Sequence, residues 1–175
     1  MKNTDYPVLR FVNSIEDDGK TRAQNAFADH AGLIALVEDA ALSRVAPSPL
    51  PALLSLREMY YRAFSAMAAG HAPDPSVAGR VQDAIRASLS RADIALLPQG
   101  LSMRPGPDCT QVDALSLAAH DLMTSAEVIR LSECRRCTRL FIDHGRGKGR
   151  RWCDMARCGN RAKAESYRAR KRATG

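Results

Sequence analysis

Along residues 1–133, apolar positions recur mainly at the three- and four-residue spacing of helices that bury one face. Leu9, Phe11, Val12 and Ile15 open the series, in a run short enough to read as helix or strand. Asp29 stands as a candidate cap for a helix carrying Leu33, Ile34, Leu36 and Val37, which Pro47-Ser48-Pro49 interrupts. The strongest amphipathic stretch is Leu50–Ala69, where Leu53, Leu56, Met59, Tyr60 and Phe64 share a face and Gly70 closes the run. Asp74-Pro75 pairs a cap residue with a proline at the first helical position, predicting a further helix to about Arg91. Ala92–Leu97 and Leu101–Arg104, split by Pro98-Gln99-Gly100, predict a short hairpin. Leu115, Ala119, Leu122 and Met123 mark another helix, with Asp113 as its candidate cap. From Val128 the pattern alternates, with Val128, Arg130 and Ser132 against Ile129 and Leu131. That alternation predicts a strand running into Cys134.

Four cysteines follow. Cys134, Cys137, Cys153 and Cys158 read C-x2-C, fifteen residues, then C-x4-C. Two close thiolate pairs a hairpin's length apart are the ligand spacing of one tetrahedral, structural Zn²⁺. The second pair fills the sphere and leaves no position for a substrate. Leu140-Phe141-Ile142 is β-prone, His144–Gly149 is a glycine-rich turn, and Arg150-Arg151-Trp152 returns to Cys153, so a hairpin is expected between the two pairs. Asn160–Arg172 holds helix formers with no Pro or Gly. Knuckle, hairpin and basic helix, in that order, describe a treble-clef-like zinc finger with four cysteine ligands. The expected fold is mainly α with small β elements: a helical domain over residues 1–126, then the finger over 127–175. A unit of about forty residues buries too little apolar surface to fold alone. Phe141 and Trp152 are its candidate core, and zinc binding worth roughly 10–16 kcal/mol supplies the rest. His144, in the far turn, reads as a surface residue rather than a ligand, and Cys109 as a spare thiol.

Charge adds a partner. Residues 134–175 hold fourteen Lys and Arg against three acids, whereas residues 1–133 carry an excess of acids, within a net charge of +7. A basic module on a mildly acidic body is the footprint of a polyanion binder. In the last helix Arg161, Arg168 and Arg172 share a face, and Lys163, Arg170 and Lys171 occupy the rest, leaving no broad apolar side. These six, with Arg150 and Arg151, are the candidate nucleic-acid contacts, and duplex DNA is the expected partner. Arginine's planar fork suits phosphate oxygens and the guanine edge. Asn160 either pairs with adenine or braces the helix start, and the preference for Asn at caps favours the structural role. No apolar stretch approaches the ~20 residues that span a bilayer, and the N-terminus lacks a secretory apolar run. A cytoplasmic, nucleoid-associated protein follows, in whose reducing surroundings paired thiols hold metal. His30, His71 and His120 lack metal-like spacing, Glu16-Asp17-Asp18 reads as a solvated turn, and no nucleophile elbow or phosphate loop argues for an enzyme or a small-molecule ligand. A single finger reads few base pairs, which favours pairing, and a homodimer is the expected state.

Cys158-Gly159-Asn160-Arg161 spells CGNR, preceded by Arg150-Arg151-Trp152-Cys153-Asp154-Met155 and followed by Lys163. With Cys134-x-x-Cys137 and Leu140-Phe141-Ile142-Asp143, the segment 134–172 closely resembles the CGNR zinc-finger family. The region opening Leu9-Arg10-Phe11-Val12-Asn13-Ser14 is similar to the helical ABATE domain that accompanies this finger, with Arg10 standing where the family usually carries an acid. The resemblance implies a stress-induced transcriptional regulator of bacteria, with a DNA-binding finger and a sensing or dimerising body. The same basic helix would serve an RNA-binding or ribosome-associated module. A protein-interaction adapter docking on an acidic partner is the other alternative.

Overall fold

At the centre of the body lies a short helix, α1 (Pro7–Val12), with proline in its first turn and Val8, Leu9, Phe11 and Val12 all fully buried. The ambiguous apolar run is therefore helical, and Ile15 beyond it makes an isolated bridge with Asn25. α2 (His30–Val37), α3 (Leu50–Ala68) and α5 (Gln111–Thr124) pack around α1, and α4 (Pro75–Leu89) lies against α3 and α5. The computed structural model describes residues 6–16, 20–98, 100–145 and 149–173. Asp17 and Asp18 of the acidic run, Gln99 of the predicted turn and residues 146–148 of the glycine-rich turn lie outside them.

Local chemistry sets most helix ends where expected. Asp29 Oδ1 accepts from Gly32 N at 2.8 Å, and Asp74 Oδ1 from Ser76 N at 2.9 Å. Gly70, at φ +76°, takes the left-handed turn after α3 that a side chain would resist. α5 differs. Its N-cap is Thr110, and Asp113 sits one turn later, its Oδ2 accepting from Thr110 N and Thr110 Oγ1, each at 2.9 Å. This is the reach-back half of a capping box. β1 (Ala92–Leu97) and β2 (Gly100–Pro105) form the expected antiparallel ribbon, with Leu96 opposite Leu101.

The predicted strand from Val128 is corrected. Val128–Arg130 forms a 3₁₀ turn, and β3 starts at Leu131 (Leu131–Glu133). β4 (Leu140–Ile142) pairs antiparallel with β3, Leu131 opposite Ile142 and Glu133 opposite Leu140. The hairpin thus folds across the first cysteine pair rather than between the two pairs. Residues 150–152 form no strand; Arg135 N donates to Arg151 O at 3.0 Å, which lays the returning chain beside the knuckle.

Burial explains the pairing. Leu131, Leu140 and Ile142 join the body's apolar core. The Asn13 side chain acts as a neighbouring strand would: its Nδ2 donates to Leu140 O at 2.8 Å, and Leu140 N donates to its Oδ1 at 2.9 Å. Arg22 ties three parts together. It donates to Glu58 Oε2 at 2.9 Å, to Val12 O at 2.9 Å and to Thr138 Oγ1 at 3.2 Å, and stacks 3.7 Å over the Tyr61 ring. Tyr61 and Ser65 of α3 both donate to the Glu133 carboxylate. The first half of the finger is packed as part of the body.

Candidate metal centre and nucleic-acid surface

Cys134 and Cys137 sit in the turn of the β3–β4 hairpin, which Cys134 N closes by donating to Arg139 O at 3.0 Å. Cys153 and Cys158 flank Asp154, which opens a π-helical turn (Met155–Gly159) running into α6 (Asn160–Ala173). Asp154 Oδ1 accepts from Arg157 N at 2.7 Å, and its carbonyl from Cys158 N at 3.0 Å and Gly159 N at 3.1 Å. Gly159 is closely covered: a Cβ there would lie 2.4 Å from Sδ of the exposed Met155, which would have to swing aside, and 3.2 Å from Trp152 Cδ1.

The four sulfurs lie within 4.8 Å of one another, three of them buried and that of Cys153 half-buried. The Cys137–Cys153, Cys153–Cys158 and Cys137–Cys158 separations are 3.7, 3.6 and 3.7 Å. A tetrahedron with Zn–S bonds of about 2.3 Å has edges of about 3.8 Å. Electrostatics agree. Hydrogen bonding from Cys153 draws the Cys137 thiol down to about 5, while the same contact pushes Cys153 up. Burial and the neighbouring Cys137 charge push Cys158 up to about 11. Thiolates this close coexist only around a cation. The four cysteines form the site of one structural Zn²⁺, which fills its sphere with sulfur and fixes the start of α6.

Phe141 is buried against this cluster and Trp152 packs on it partly buried. Arg150 is folded back onto the finger: Nε donates to Trp152 O at 2.6 Å, a second nitrogen to Cys153 O, and the guanidinium lies 5.0 Å over Phe141. Its backbone N–H donates to Asp143 Oδ2 at 2.6 Å, and with Gly145 N holds that carboxyl below its ordinary range. Arg151 lies 5.4 Å over Trp152. The capping oxygen at this helix start belongs to Asp154, and Asn160 is exposed in the first position of α6. His144 faces Glu127 at 3.6 Å, outside the sulfur cluster, and Cys109 is fully buried, its thiol raised by burial.

α6 carries the remaining candidates. None of its residues is buried, and Arg161, Lys163, Arg168, Arg170, Lys171 and Arg172 are all exposed along it. Its one acid, Glu165, is paired with Arg136 of the knuckle at 3.2 Å. Sequence reasoning passed over Arg136 because nothing in a C-x2-C interior distinguishes a clasp from a solvated arginine. It also passed over Asp154 and Arg22, whose roles depend on where the chain returns.

Two family models match the chain. One, the CGNR zinc finger, covers residues 130–171, and the other, ABATE, described as a putative stress-induced transcription regulator, covers residues 5–128. No curated protein matches it.

Proposed function

We propose that this chain, which belongs to the ABATE family and ends in a CGNR zinc finger, is a zinc-dependent DNA-binding transcriptional regulator of a stress response. One observation carries the reading. α6 leaves the metal centre with no buried residue, six Lys and Arg, and its only acid already neutralised by Arg136. A helix with no apolar face to bury is maintained for its charge. At about 10–12 Å across it also fits a B-form major groove about 12 Å wide. Zinc fixes where the helix starts; arginine and lysine meet the phosphates. The body serves as sensor or dimerisation unit, and the protein works by binding rather than catalysis, in the cytoplasm on the nucleoid. Among the described residues no helix is long and apolar enough to cross a membrane.

The test is binding of a labelled duplex to the zinc-loaded chain across salt concentrations. Neutralising five or six phosphates gives a slope of log K against log[salt] of about −5. Salt-independent binding, or none, overturns the reading. Competition by structured or single-stranded RNA on equal terms with duplex DNA would move the assignment to RNA.

A further inference from the structure

α6 is anchored on one side, and the anchor defines which side faces outward. Ala162 is its one partly covered residue, and Glu165 is held by Arg136 at 3.2 Å. At about 100° per residue these two lie about 60° apart and mark the back of the helix, toward the knuckle. Arg161, Arg168 and Arg172, which share a face by spacing, lie beside Glu165 and so along a flank. The side opposite the anchor holds Tyr167, with Asn160 within about 20° of it, Lys171 within about 40° at the far end of the helix, and Ala164 within about 60°. Lys163 and Arg170 form the other flank.

Tyr167 is the only aromatic residue of α6 and is 63% exposed. It stabilises little in its own chain. Its place, between two cationic rows, is that of a side chain aimed at the floor of a groove whose walls are phosphate. We propose that Tyr167 is the base-reading residue of the finger: α6 enters the major groove of duplex DNA with Tyr167, Asn160 and Ala164 toward the base edges, Lys171 one turn further along the same face, and a cationic row on each backbone. Phosphate contacts position a protein, and base-edge contacts specify its sequence. A tyrosine ring packs on the thymine methyl, and its hydroxyl donates to or accepts from a base edge. The narrow major groove of A-form RNA excludes this arrangement. The assignment rests on the DNA-binding reading above and adds which face of the helix does the reading.

Duplexes selected from a random pool by the full zinc-loaded chain supply a preferred sequence. The measurement is the ratio of dissociation constants for scrambled and preferred duplexes, with the salt slope of each. Tyr167→Ala is expected to lower that ratio about fivefold or more, with the slope unchanged. Arg168→Ala with Arg170→Ala is expected to weaken both duplexes alike and make the slope shallower. Zinc content and Trp152 fluorescence confirm that each variant keeps its finger. If Tyr167→Ala keeps the full ratio while the wild type binds with a steep salt slope, the helix presents another face and this assignment is overturned, with DNA binding intact. If the wild type itself shows no salt-dependent preference for duplex DNA, both fall.

Discussion

Asn13→Ala should loosen the finger from the body at β4, without touching a metal ligand. Asn13 is 3% exposed and Leu140 fully buried, and the two exchange a pair of hydrogen bonds at 2.8 and 2.9 Å. Alanine removes both partners and leaves the Leu140 N–H and C=O buried without one. Each orphaned group costs about 1–3 kcal/mol, so the change should cost about 2–6 kcal/mol. That is a large share of a stability that in most domains is about 5–15 kcal/mol. Asn13→Asp keeps the acceptor but sets a carboxylate against Leu140 O, and should be no better tolerated. Urea denaturation of the zinc-loaded protein, followed by circular dichroism, measures the loss. Amide exchange at Leu140 shows whether it is local. A cost under about 1 kcal/mol with Leu140 still protected would refute the idea that this side chain stands in for a strand.

Chelation should remove one Zn²⁺ per chain and unravel α6 with its π turn, while β3 and β4 stay docked through Leu131, Leu140 and Ile142. Trp152, the only tryptophan, reports release of the finger by its emission, and amide exchange at Leu131–Glu133 reports the hairpin; joint loss of both signals would contradict this division. Replacing Arg168, Arg170, Lys171 and Arg172 together by alanine should leave zinc content and melting temperature nearly unchanged. The salt slope should shrink by about 0.9 for each lost phosphate contact. Burial alone would raise Asp113, but hydrogen bonds from Arg91 and Thr110 outweigh it and hold the carboxyl below its ordinary value. Its contribution is therefore present above about pH 4 and lost as pH falls through the folded value. Asp113→Asn should flatten the acid side of the melting-temperature profile.

What the chain disclosed in advance was what is written locally. The four ligands were legible because metal spacing is a short-range pattern. α3 and α4 were legible because Leu53, Leu56 and Phe64, or Asp74-Pro75, carry their own periodicity and cap. The β3–β4 pairing was not. Both segments read as β-prone, but each strand is three residues long, too short to name its partner, and its register is set by burial of Leu131, Leu140 and Ile142 against helices far along the chain. Asp113 was read one turn late because T-x-x-D offers two capping residues and only geometry assigns their roles. Arg22 carried no signal at all: it is a loop arginine at φ +55° whose partners come from α1, α3 and the knuckle. The outward face of α6 was equally hidden, since charge alone does not say which side of a cationic helix is held.

The sharing of core between body and hairpin bears on how such a protein can be taken apart. The two family models meet at residues 128 and 130, yet a chain ended there would expose the seat vacated by Leu131, Leu140 and Ile142. A grafted finger cut at the same point would arrive with those three side chains uncovered. The boundary is one of sequence resemblance, and the joint at which fragments could be exchanged lies beyond Ile142. Swapped fingers should fold on a foreign body only when the hairpin travels with its native host, and the two segments should change together through descent, each constraining the other's apolar residues.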